Sequence, residues 1–226
     1  MGDMIDFLKS NFGHVAPILL TGVFGLAIIF ERTNALLWMY PVSGMTTFFD
    51  KLADLIMADK LSEAIAFCET YANKPAAMVA KEALLRAHQP EQVLRDGLEY
   101  AITEAHQKIQ CRTPYLATIA NVATLLGLLG TIMGLVQSFK ALGSISAQQK
   151  AAFLANGIST AMNATMLGLF VAVPCLVAFS FLSNQTNKLT TDVEKSALRI
   201  VDLLNQRYFS SEAKEVRSGM SSSRAG

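Results

Sequence analysis

Thr113-Pro114-Tyr115-Leu116-Ala117-Thr118-Ile119-Ala120-Asn121-Val122-Ala123-Thr124-Leu125-Leu126-Gly127-Leu128-Leu129-Gly130-Thr131-Ile132-Met133-Gly134-Leu135-Val136-Gln137-Ser138-Phe139 contains no charged residue, and neither does the longer run from Ala151 to Asn187. No aspartate or glutamate occurs anywhere between Glu104 and Asp192. About 20 residues at 1.5 Å rise cross roughly 30 Å of hydrocarbon, so each run is long enough to span a bilayer. The polar pattern inside the runs adds a second message. At helical spacing Ala117, Ala120, Thr124, Gly127, Thr131, Gly134 and Ser138 share one face of the first run, and that face is small and hydroxylated throughout. The second run carries Asn156, Thr160 and Asn163 on one stripe and Ala161, Thr165, Gly168 and Ala172 on another beside it. Small residues let helix backbones approach in lipid, and hydroxyls and amides are tolerated at that depth where they meet protein or a wet cavity. Helix packing alone accounts for any single Thr or Gly. Two facing stripes argue for more.

The chain is 52% apolar and 16% charged with a net charge of +1, too apolar and too weakly charged for a nucleic-acid binder. A third apolar segment runs from near His14 through Phe30 to Glu31-Arg32. Its leader holds Asp3, Asp6 and only Lys9, unlike the basic leader of a secretory signal, so an uncleaved membrane helix is expected. Three spans put the termini on opposite sides. Lys9 alone flanks the first end, and Lys140 and Lys150 bound the link between the last two spans. Arg32, Arg95, Lys108, Arg112, Lys188, Lys195 and Arg199 flank the other ends. The excess of basic charge marks the cytoplasmic side, so the N-terminus is expected to be periplasmic and the C-terminus cytoplasmic in a Gram-negative inner membrane.

The expected fold is therefore an all-α integral membrane protein with three transmembrane helices, long cytoplasmic helical extensions and an oligomeric state. The segments read as a periplasmic stretch over 1–13, spans over 14–40, 114–140 and 152–182, a cytoplasmic helical region over 41–113, and a periplasmic link over 141–151. A cytoplasmic helix over 183–209 and a disordered, Ser-rich tail over 210–226 complete the chain. Phe48, Phe49, Leu52, Leu55 and Ile56 make an apolar face expected to continue the first span inward, and Leu61, Ile65 and Cys68 mark a second short helix. Lys74-Pro75 and Gln89-Pro90 punctuate, because proline suits a first helical position and breaks an interior. Leu94, Leu98, Ala101, Ile102, Ala105 and Ile109 repeat up to Thr113-Pro114, where the helix is expected to enter the membrane with a proline kink. Leu189, Val193, Ala197, Ile200 and Leu204 form an apolar stripe that must pack on other cytoplasmic helices or on a neighbouring copy.

Cys68, Cys111 and Cys175 are too far apart and on the wrong side of the membrane for structural disulfides or a metal site. His14, His88 and His106 do not converge, and solvated or packing roles suit them better than ligation. Trp38, Tyr40 and Tyr115 suit the cytoplasmic interface. No His or carboxylate accompanies the membrane hydroxyls, so neither a nucleophilic nor a metal-dependent enzyme is expected, and no cofactor.

The stretch Thr124 to Phe139 resembles the signature of the MotA/TolQ/ExbB proton-channel family, and Gly157-Ile158-Ser159-Thr160-Ala161-Met162-Asn163-Ala164-Thr165-Met166-Leu167-Gly168-Leu169-Phe170-Val171-Ala172-Val173-Pro174 is similar to its last-span motif. Ile29-Phe30-Glu31-Arg32-Thr33 resembles the exit of its first span. Three spans with a large cytoplasmic insert match the TolQ and ExbB branch better than the four-span MotA branch. The resemblance implies a homopentamer around a dimer of a single-span ExbD/TolR-like partner, with proton flow delivering work to a TonB-like, TolA-like or gliding-type machinery. It places the family's pore threonines on Thr131 and Thr165, and the last-span residues Thr160 and Asn163 beside that path. Gly127, Gly130, Gly134, Gly168 and Pro174 become helix-packing positions. The family's frequent glutamate falls on Thr160, a departure that leaves this subunit with no acid there.

Threonine can hold water and exchange hydrogen bonds but does not change charge at ordinary pH. The carboxylate a proton relay needs is thus expected from the partner's membrane Asp. The primary reading is a stator subunit of a motor driven by the proton motive force. The rivals are a non-conducting membrane scaffold, whose stripes only pack helices, and a small-solute channel, which would conduct without a partner.

Overall fold

The structure, a computed structural model, describes residues 12–40, 44–142 and 147–223, and every regular element among them is helical. In chain order these are α1 (Phe12–Asn34), a π turn (Ala35–Met39), α2 (Met45–Met57), α3 (Leu61–Glu69), α4 (Pro75–Leu85), α5 (Glu91–Gln110), α6 (Tyr115–Ala141) and α7 (Ala147–Ser223). Three stretches are long and apolar enough to cross a membrane: Val15–Met39, Glu91–Lys140 and Gln148–Phe209. The chain divides into two compact units, one of Met1–Thr33 with Arg112–Ser183 and the other of Asn34–Cys111 with Asn184–Gly226.

The first unit holds α1, α6 and the first part of α7. Many of its buried side chains are small. Val15, Ile18, Ala164 and Leu167 form one cluster with Leu126 and Val171 against it, and Ala120, Ala123, Ala172 and Cys175 form another beside Ile29 and Ile119. Within the chain only 22%, 17% and 22% of the three most apolar windows are buried, so most of their surface needs lipid or other protein to cover it.

The second unit is built on helices whose apolar faces meet. Phe48, Phe49, Leu52 and Ile56 of α2 are buried, and the Phe48 ring stands 5.2 Å from Phe49, 5.3 Å from Phe67 and 5.3 Å from Tyr71. Ala64 and Cys68 of α3, most of α4, and Leu94, Leu98, Ala101, Ala105 and Ile109 of α5 complete the core. Leu189, Val193, Ala197, Ile200 and Leu204 of α7 are all buried here, so the tail stripe is filled within its own chain and does not require a neighbouring copy. Arg199 reaches Asp50 at 3.2 Å and lies over the Phe49 ring, while Arg207 reaches Asp59 at 2.5 Å.

Several local expectations change. The first span does not run on into α2. It ends in the π turn, and α2 starts afresh after Gly44, whose φ of 72° is open to glycine. The proline at 114 marks a break rather than a kink. Cys111 is extended (ψ 135°) and Arg112 is left-handed (φ 62°), so the chain has already left the helix before Thr113, the residue that the proline itself biases away from it. Pro75 stands at the start of α4 and Pro90 caps α5. The last helix begins at Ala147, earlier than the expected 152, with 143–146 outside the described residues. It continues to Ser223, so the tail from Ser210, expected to be disordered, is helical that far. Ala213, Lys214, Glu215 and Arg217 are good helix formers.

Candidate functional site

The helices α6 and α7 meet along a seam made of glycine and alanine. A Cβ added at Gly127 would stand 3.2 Å from Gly168 Cα, 3.3 Å from the Ala164 carbonyl oxygen and 3.4 Å from Thr165 Cα. At Gly168 it would stand 2.7 Å from the Ala123 oxygen and 2.9 Å from Gly127 Cα. Gly130 faces Ala164 and Gly134 faces Ala161, and farther along Gly157 lies against Ser138. The backbones approach because nothing larger than a methyl intervenes, which is how small residues drive helix contact where water provides no hydrophobic force. Ala161, Ala164 and Gly157 supply half of this seam. Ala161 already stood on the small stripe of the sequence, whereas Ala164 and Gly157 are set apart only by their position opposite Gly130 and Ser138 of α6.

The first helix covers one side of the seam. Gly22 of α1 approaches Val171, Gly25 approaches Cys175 and Ile119, and Val15 and Ile18 pack on Ala164 and Leu167. Thr131 and Thr165 lie on the other side. At 100° per residue Thr131 is turned about 120–140° from Ile119 and Leu126, and Thr165 about 120–160° from Val171 and Leu167. Both are half-buried. The Thr165 hydroxyl donates to the Gly127 carbonyl across the seam at 3.5 Å, a long contact, and the Thr131 hydroxyl donates to Leu128 of its own helix at 2.6 Å. Thr124, exposed on this flank, donates to the Ala120 carbonyl at 3.0 Å. Each of these hydroxyls therefore keeps acceptor capacity for a group or water outside the chain.

The remaining candidates fall elsewhere. Thr160 and Asn163 are half-buried, but helical spacing sets Thr160 about 140° and Asn163 about 160° around α7 from Thr165, on the arc of Leu167 and Val171 that faces α1. The four residues expected along one path thus divide into two pairs on different faces. Pro174 is exposed and does not enter the seam. It borders an apolar groove of about 130 Å³ with Gly22, Leu26, Ile29, Phe170, Val171 and Cys175. At the end of α1, Glu31 accepts both contacts from Arg112 Nη1, at 2.6 and 2.7 Å, and Arg32 beside it is buried. No sequence pattern announced this pair, because its partners stand 81 positions apart.

A family description, that of the MotA/TolQ/ExbB proton channel family, matches residues 71–195, the part of the chain that holds this seam and both threonines. The chain belongs to the MotA/TolQ/ExbB proton channel family. Relatives within it include the Tol-Pal system protein TolQ of Haemophilus influenzae, 30% identical over 53% of this chain and 54% of that protein. TolQ of Pseudomonas aeruginosa is 34% identical over 41% of this chain and 40% of that protein. The biopolymer transport protein ExbB of Neisseria gonorrhoeae is 36% identical over 50% and 54%. The chain spans about half the length of the curated relatives it matches. A solved structure of C. jejuni MotAB superposes with a TM-score of 0.51 at 17% identity, covering 84% of this chain and 80% of that one, a likeness of fold. In this family member the matched region runs from the α3–α4 connection through α6 into the part of α7 beyond the apolar run.

Outside the seam, titratable groups pair locally. His106 Nε2 lies 3.5 Å from Glu194 Oε1, and Lys81 pairs with Glu69 at 2.8 Å, a hydrogen bond that raises its pKa. Burial pushes the Cys68 thiol up to about 12. Among the described residues no three His, Cys, Asp or Glu side chains are placed to hold a metal ion.

Proposed function

We propose that this chain is a subunit of an inner-membrane motor driven by proton flow, five copies of which surround a dimer of a single-span partner of the ExbD/TolR kind. The observation that carries the reading is the flank of the α6–α7 seam opposite α1, where Thr131 and Thr165 leave hydroxyl acceptors uncovered at membrane depth. In lipid such groups are costly, so protein or water is their natural cover. The family membership supports proton movement along this flank. The N-terminus faces the periplasm and the C-terminus the cytoplasm, in keeping with the basic flanks.

The mechanism follows from what these two spans lack. With no Asp or Glu from 105 to 191, neither α6 nor the apolar part of α7 offers a carboxyl group to bind and release a proton. A partner's carboxyl enclosed by Thr131 and Thr165 is pushed toward its neutral form by desolvation, while hydroxyls and water still stabilise the charged form enough for exchange. It takes a proton from the periplasmic side and releases it inward as partner and ring shift. The work goes to an envelope process such as TonB-dependent import, the Tol-Pal system or gliding motility. The chain itself is not an enzyme in this reading and carries no cofactor.

The test is reconstitution into liposomes under an imposed pH gradient. The pure protein is expected to pass no protons, the single-span partner to restore flux, and changing the partner's membrane Asp to Asn to abolish it. Flux through the pure protein that scales with its amount would sink the mechanism and favour a partner-free channel. Absence of flux with every partner, together with a harmless Thr131→Val/Thr165→Val double variant in cells, would favour a scaffold.

A further inference from the structure

The first span ends in a turn wider than an α turn. The Tyr40 amide donates to the Ala35 carbonyl at 3.0 Å, five residues back, so Ala35–Met39 hold one residue more than a regular turn would. That residue changes which side chains face out. Ala35, Leu36 and Tyr40 are buried, whereas Leu37 is 37% exposed, Trp38 83% and Met39 49%. A regular helix with Leu36 inward would return one of three successive residues to the buried side. Tyr40, expected at the membrane interface from its place in the sequence, is instead part of the core of its unit.

We propose that this turn is a docking surface for the headgroup–acyl boundary of the bilayer, with Trp38 as its anchor. Earlier in the same span Leu20, Val23, Leu26 and Phe30 of α1 are exposed as well. Length points the same way. The apolar stretch Val15–Met39 has 25 residues, about 37 Å of helix against roughly 30 Å of hydrocarbon, so an untilted span carries its ends into the boundary layer. The chemistry of the exposed group selects that layer over hydrocarbon or water. Trp38 makes no hydrogen bond within the chain among the described residues, and its indole combines a large apolar body with one N–H donor. Lipid ester and phosphate oxygens accept from the N–H while acyl chains cover the ring. The proposal holds whether or not protons move through the assembly.

Trp38 is the single tryptophan of the chain, so its fluorescence reports this site alone. The full chain is reconstituted in phosphatidylcholine vesicles whose acyl chains are brominated either near the carbonyl or near the methyl end. Bromines near the carbonyl should lower the emission at least about twofold, bromines near the methyl end clearly less, and aqueous acrylamide only weakly. Strong acrylamide quenching without a bromine effect would place Trp38 in water. No quenching by either agent would mean that protein, such as a second copy, covers it. Deepest quenching at the methyl end would put it in the bilayer centre. Each of these three results overturns the proposal.

Discussion

Gly168 is where the α6–α7 seam brings backbone atoms nearest to a glycine, and replacing it with alanine tests the seam most directly. The new Cβ would stand 2.7 Å from the Ala123 oxygen, 2.9 Å from Gly127 Cα and 3.2 Å from Gly127 N. All three are backbone atoms, so no side chain can turn aside. A carbon settles against a carbonyl oxygen at about 3.3 Å or more, which forces the helices apart by roughly half an ångström. A gap of that size forfeits a quarter or more of each dispersion contact along the seam. Overpacking of this kind costs about 1–3 kcal/mol, and alanine returns up to about 1 kcal/mol of helix propensity. Gly168→Ala is therefore expected to destabilise by about 1–2 kcal/mol, roughly a five- to thirtyfold change in the folded-to-unfolded ratio. Gly130→Ala meets only the Ala164 methyl, at 2.7 Å, so adding Ala164→Gly should restore stability. Gly134→Ala meets Ala161 at 3.3–3.5 Å and should stay within about 0.5 kcal/mol of the parent. Unfolding in mixed micelles by titrated SDS, followed by circular dichroism, gives all these values. Equal damage from Gly134→Ala and Gly168→Ala, or failure of the Gly130/Ala164 exchange to recover stability, would refute the seam geometry.

Thr131→Val and Thr165→Val keep shape while deleting a hydroxyl, and both should leave assembly intact by native mass measurement yet impair proton-driven work in cells, the double variant most. In the Glu31–Arg112 pair the side chains are 47% and 54% exposed, so a double-mutant cycle with Glu31→Gln and Arg112→Gln should return a coupling of no more than about 1 kcal/mol, reduced by salt. Cys68, buried and held protonated with a pKa of about 12, has a thiolate fraction of about one in ten thousand at pH 8 and should resist a water-soluble maleimide until the protein unfolds. Cys111 is exposed and should label in the native state, from the cytoplasmic face alone if the proposed orientation holds; labelling from the periplasmic face would reverse it.

Much of the architecture could be read from order and spacing along the chain. The charge-free runs around Gly127 and Gly168 announced membrane-crossing helices, since a bilayer demands length and apolarity that few other environments permit. The repeats Leu94 to Ile109 and Leu189 to Leu204 announced faces that are buried in the second unit, because a period near 3.6 places them on one side of a helix. Pro75 and Pro90 marked helix starts for an equally local reason. Family membership was likewise visible in the two glycine- and threonine-bearing motifs.

What periodicity could not reveal is which neighbour each face meets. Thr160, Asn163 and Thr165 are close in sequence, yet only Thr165 lies on the flank away from α1. That distinction exists only once α1 has packed on Val171 and Cys175. Tyr40 is buried and Trp38 is not, because a single wide turn shifts the register, and no pattern in Ala35–Met39 signals that turn. The ion pair of Glu31 with Arg112 and the pairing of Gly130 with Ala164 join residues far apart along the chain. Local chemistry sets helix, length and amphipathic face through interactions within a few residues; the partners of those faces depend on long-range packing, which becomes defined only when the helices assemble.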